Sequence, residues 1–81
     1  MMINQRVEEL REYCEYKLMI VKSLLDDIHN LTVDTKLRLT VKIDILNHLI
    51  EYKTYGNFLN KEELNRYIED SADIVCGFYT H

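Results

Sequence analysis

Apolar residues recur every three or four positions through the first third of the chain. Ile3, Val7, Leu10, Cys14, Leu18, Val21, Leu25 and Ile28 line one stripe of an amphipathic helix over 2–29. A second row in heptad spacing runs Ile3, Val7, Leu10, Cys14, Lys17, Val21, Leu24, Ile28, Leu31, broken only by Lys17. Tyr13, Ile20 and Leu24 widen the stripe along one edge, so this helix has apolar surface for two neighbours. Glu8, Glu9, Glu12 and Glu15 keep off the stripe and favour the positive end of the helix dipole.

The middle of the chain carries two patterns at once. From 36 to 45, apolar and polar residues alternate strictly, as in a half-buried strand. Over the longer window to Tyr55 a helical period takes over. Leu37, Val41, Ile45, Leu49 and Tyr52 share one face, and Leu39, Ile43, Leu46 and Ile50 share another. A helix with two apolar faces has to be covered on both. The helical reading is preferred because the period persists for another ten residues and because one lone strand cannot form a sheet. It places Ile45 and Leu49 at the centre of the core.

Punctuation falls on either side. His29-Asn30-Leu31-Thr32 breaks the first helix, with Asn30 for its C-terminal turn and Thr32 or Asp34 as the next N-cap. Gly56 is expected to end the second helix in a left-handed conformation. Asn60 with Glu63 reads as a capping box, and Leu59 with Leu64 as a hydrophobic staple, opening a third helix over 61–76. Its stripe is Leu64, Ile68, Ser71 and Val75, with Tyr67, Ala72 and Ile74 beside it. Gly77 would cap it, leaving Phe78-Tyr79-Thr80-His81 as a tail. The expected fold is all-α: one domain, 1–81, a small antiparallel three-helix bundle spanning about 3–29, 34–55 and 61–76.

Length changes this picture. A chain of 81 residues buries too little surface to be more than marginally stable alone, and oligomerisation is a common remedy. The third helix is too short to cover the second face of the middle helix together with the widened edge of the first. A homodimer is therefore expected, with Tyr13, Tyr16, Ile20, Leu24, Leu39, Ile43, Leu46 and Ile50 as the protein-binding residues. Tyr13 and Tyr16, flanked by acids, suit an exposed contact surface.

Charge is uneven. The net −4 divides into −2, +1 and −3 over the three segments, and the acid-rich outer segments would attract a basic partner. There is no apolar run of about 18 residues to span a membrane and no basic leader before an apolar core, so a cytoplasmic location is expected. Cys14 and Cys76 are then two thiols in a reducing compartment, and the Asn30-Leu31-Thr32 sequon is a chance match. Residues with AT-rich codons dominate, while Ala occurs once and Pro never, a bias common in phages and low-GC bacteria.

Candidate chemistry is thin. Asp44, His48 and Glu51 share a helical face at a spacing that can hold a metal or orient a base, but no second His or Cys cluster completes the set. Cys14 lies in an apolar stripe, where a thiol behaves as a small hydrophobe. Gly56 and Gly77 stand alone, so no phosphate loop is present. The expectation is a non-enzymatic interaction module with no cofactor or metal, such as a phage-type regulator or inhibitor that binds a host protein.

The strand reading leads elsewhere. With Leu37, Leu39, Val41 and Ile43 inward and Arg38, Thr40 and Lys42 outward, the chain from Leu37 resembles the ribbon-helix-helix repressors over about half its length. That resemblance implies a strand pair, one strand from each subunit, entering the DNA major groove through Arg38, Thr40 and Lys42. The preceding long helix, the long turn after Gly56 and the acidic balance depart from the pattern, and net −4 opposes binding to phosphates. Nucleic acid is not the expected partner.

Overall fold

The computed structural model describes residues 4–27 and 31–79. Ile3, Ile28, Asn30 and the Thr80-His81 end, assigned above to a stripe, a turn and a tail, lie outside the described residues. Three helices follow in order: α1 (Gln5–Asp26), α2 (Val33–Glu51) and α3 (Lys61–Tyr79), with a 3-10 turn at Thr54–Asn57 between the last two. Among the described residues there is no strand. No helix among them is long and apolar enough to cross a membrane.

Each helix starts where a side chain can satisfy an orphan backbone N–H. Asn4 caps α1 by accepting from Val7 N, and Thr32 caps α2 by accepting from Thr35 N at 3.1 Å. Asn60 caps α3 by accepting from Glu63 N at 2.9 Å. The Glu63 carboxylate returns to Leu59 N at 2.8 Å, one residue before the N-cap amide that a standard box would use.

α2 is the middle element. α1 and α3 both pack on it and touch each other little. Cross-links fix the directions. Arg6 at the start of α1 donates to the carbonyl oxygens of Gly56 and Phe58, beyond the end of α2. Arg38 pairs with Asp73, and Lys42 with Glu69, so α2 and α3 run antiparallel. The core brings together Leu10, Cys14 and Val21 of α1, Leu39, Leu46 and Leu49 of α2, Tyr55, and Leu64 and Ile68 of α3.

Several expectations need correction. Residues 37–43 are helical, so the strand pair of the ribbon-helix-helix layout is not there. Arg38 and Lys42 are tied to α3, and the Thr40 hydroxyl donates back to the Lys36 carbonyl at 2.8 Å. A helix won because α1 and α3 together cover both apolar sides of α2, whereas a strand would have no partner.

α2 also stops at Glu51, short of the expected 55. The left-handed residue is Lys53, at φ 57°, and no glycine has a positive φ. Gly56 lies in the 3-10 turn beside α1, where a Cβ would make an ordinary contact with Val7 at 3.6 Å. Gly77 does not end α3, which continues to Tyr79. One glycine costs a helix about 1 kcal/mol, too little to stop one already docked on a core.

The core centre moves too. Leu46 is fully buried and Leu49 nearly so, while Ile45 is only half-buried at the edge of the cluster. The staple fails, because Leu59 is 75% exposed; Phe58 turns inward in its place and rests 5.1 Å from the Tyr67 ring.

Candidate functional site

The eight residues expected to bind protein divide into two groups. Tyr13, Tyr16, Ile20 and Leu24 of α1 come together with Leu39 of α2 around one open groove, whose lining is completed by Lys17, Val21 and Lys42. Ile43, Leu46 and Ile50 do not join them. Leu46 has no exposed surface, and Ile43 and Ile50 pack against the core, so the second face of α2 is filled from within the chain. The sequence-based count of surplus surface missed this. That face joins the common core, and apolar surface is left on the outer side of α1.

Helical geometry explains the groove. Tyr13, Tyr16, Ile20 and Leu24 follow a 3-4-4 spacing, one row away from the buried Leu10, Cys14 and Val21. They are therefore lifted off α2. Tyr16 is 59%, Ile20 38% and Leu24 51% exposed. Met19 beside them is also exposed, and Leu39 forms a buried floor.

The Tyr13 and Lys17 end of the groove is tied to α3. Tyr13 donates its hydroxyl to Asn65 Oδ1 at 2.8 Å, and the Lys17 ammonium donates to the same oxygen. Lys17 and Lys42 both reach Glu69, at 3.5 and 2.9 Å. Two ammonium groups share one carboxylate, which fixes α1, α2 and α3 relative to one another. Burial raises the Tyr13 pKa, helped by the negative charge of Glu69. For Glu69, burial opposes ionisation, but the Lys42 hydrogen bond and the charges of Lys17 and Lys42 outweigh it and lower its pKa. Lys17, an interruption in the sequence pattern, is here a strut between helices.

The other candidates have structural surroundings. Asp44, His48 and Tyr52 border a shallow dent with Ile45, Leu49, Thr54 and Tyr67, and the His48 ring lies 5.2 Å from that of Tyr52. Glu51 is not part of it. Among the described residues, no three His, Cys, Asp or Glu side chains gather as a metal site. Cys14 is fully buried in the core, and burial, with the charge of Glu15, pushes its thiol pKa up to about 11. Cys14 and Cys76 form no disulfide.

Sequence reasoning missed a second exposed apolar row. Tyr67, Ile74 and Phe78 of α3 are 46%, 63% and 79% exposed. The signal was present in the 67, 71, 74, 78 spacing. It was lost because Gly77 was taken as the end of the helix. No protein-family model, curated protein or solved structure matches the chain.

Proposed function

We propose that this protein is a small non-enzymatic interaction module that pairs with a second copy of itself through the α1 groove and acts on another protein as a regulator or inhibitor of phage type. The observation that carries this reading is the row Tyr16, Ile20 and Leu24, exposed along α1 above Leu39. Tyrosines interleaved with aliphatic side chains on an open, charge-poor strip are the composition of interface centres.

Area and charge favour a second copy as the occupant of this groove. Covering Tyr16, Met19, Ile20 and Leu24 removes on the order of 400 Å² of mainly apolar surface per copy, about half of the 800 Å² a standard interface takes from each side. Glu12 and Ser23, both exposed, add polar surface beside the row, while Lys17 and Lys42 are mostly buried and add little. With Tyr13 and Ile20 at a positions and Tyr16 at d, Glu12 falls at g and Lys17 at the following e. In a parallel pair of α1 helices these positions meet across the interface, so Glu12 of each copy approaches the Lys17 ammonium of the other, which Asn65 and Glu69 already hold. An antiparallel pair sets acid edge on acid edge.

Sedimentation equilibrium tests the reading. The wild type is expected to be a dimer at tens of micromolar. Ile20→Glu, on a surface position, is expected to give a folded monomer, and Glu12→Lys to weaken the dimer without loss of helix content. A wild type that sediments as a compact monomer rules the pairing out.

A further inference from the structure

The outer row of α3 is a different kind of surface. Tyr67, Ile74 and Phe78 lie at 3.6-residue spacing on one side of the helix, with Ser71 between them. Phe58 supports one edge of Tyr67 and leaves its outer half open. Gly77 carries no side chain, so a dent opens between Asp73, Ile74 and Phe78; a Cβ placed on Gly77 would meet nothing within 4 Å. A dent between the side chains of successive turns is the receptor for a knob from a facing helix.

Charge selects the occupant. The next row of α3, seven residues apart, is Glu63, Asp70 and Gly77, and both acids are exposed. Glu62 is exposed as well. Of the five acids on α3, Glu69 already pairs with Lys17 and Lys42 and Asp73 with Arg38, which leaves Glu62, Glu63 and Asp70 beside Lys61 and Arg66. Two copies of α3 packed on this row would bring their Asp70 side chains together at an apolar seam, where like charges are penalised. A second copy is thus disfavoured here.

We infer that the Tyr67–Ile74–Phe78 row is a docking site for a basic amphipathic helix of a different protein. The apolar face of that helix covers Ile74 and Phe78 and places one side chain in the dent at Gly77. Its Lys or Arg residues lie along Glu63 and Asp70. The inference rests on the reading of the protein as an interaction module and gives that module a second surface with its own partner chemistry. The net charge of −4 speeds encounter with such a helix.

The test is a backbone-amide NMR titration with a synthetic amphipathic peptide of about 18 residues built from Leu and Lys, and with its counterpart carrying Glu for Lys. Shifts confined to 63–79 on adding the lysine peptide are expected, with binding at least about tenfold weaker for the glutamate peptide. Ile74→Ser with Phe78→Ser, two exposed positions, should weaken the lysine peptide by about tenfold or more and leave the unfolding midpoint unchanged. Asp70→Lys should weaken it by a smaller, salt-dependent factor. Repeating the titration on Ile20→Glu separates the two surfaces, since loss of self-association leaves this row intact. Absence of binding, equal binding of the glutamate peptide, or shifts centred on Tyr16, Ile20 and Leu24 each overturn the inference.

Discussion

The Lys42 ammonium lies 2.9 Å from the Glu69 carboxylate, and Lys17 approaches the same carboxylate at 3.5 Å, so one acid of α3 holds both other helices. Glu69→Gln leaves two mostly buried ammonium groups sharing a neutral amide. Because the Glu69 side chain is 39% exposed, solvent screens the loss, which is expected to be about 1 kcal/mol in urea denaturation at neutral pH.

The same contact gives a pH dependence. The native pKa of Glu69 is lowered, so its contribution is complete above the ordinary value of 4.5 and is lost as pH falls from there through the native value. The stability gap between wild type and Glu69→Gln should therefore hold between pH 5 and 7 and close progressively below pH 4.5. A gap that widens on acidification would contradict the assignment.

The two thiols should separate kinetically. Cys14 is fully buried with its pKa pushed up to about 11, whereas Cys76 is half-buried. At pH 8 a thiol-specific reagent such as dithionitrobenzoate is expected to label Cys76 first. Cys14 should react only at the rate of global unfolding, because the thiolate is the reactive form. Mass spectrometry of partly labelled protein would reveal early modification of Cys14 if this is wrong.

Neighbouring positions on α2 should differ in cost. Leu46→Ala removes a fully buried side chain from the centre of the core and is expected to cost roughly 2–5 kcal/mol, enough to unfold a marginal domain. Ile45→Ala, at the edge of the cluster, should cost at least about 1 kcal/mol less. Equal losses would put Ile45 back at the centre.

Backbone substitutions check where strain lies. Lys53 holds φ 57°, so Lys53→Gly should stabilise the protein, by about 0.5–1 kcal/mol after the entropy cost of glycine. Gly77→Ala should also stabilise, by about the same amount, since its φ is not positive and its Cβ meets nothing. Thermal denaturation reads both. A drop in midpoint for Gly77→Ala would mean that the helix does not pass through this position.

The sequence alone determined the features that depend on neighbours a few residues away. Asn60 with Glu63 announced α3, Thr32 or Asp34 announced the start of α2, and the row through Leu10, Cys14 and Val21 announced the buried side of α1, because capping bonds and helical periodicity are local. What it could not determine depended on residues far along the chain. Whether 36–45 is strand or helix was decided by α1 and α3 closing over both sides of α2. Whether Ile45 or Leu46 sits deepest was decided by the direction from which those helices approach. Lys17 became a strut only because Asn65 and Glu69, about fifty positions away, face it. Gly77 looked like a stop in sequence and is an ordinary turn of α3, since the packing of Leu64, Ile68 and Ala72 outweighs a local penalty of about 1 kcal/mol. Burial is a property of what covers a residue, and in this chain the covering side chains are distant in sequence, so only the tertiary structure could assign the exposed rows on α1 and α3.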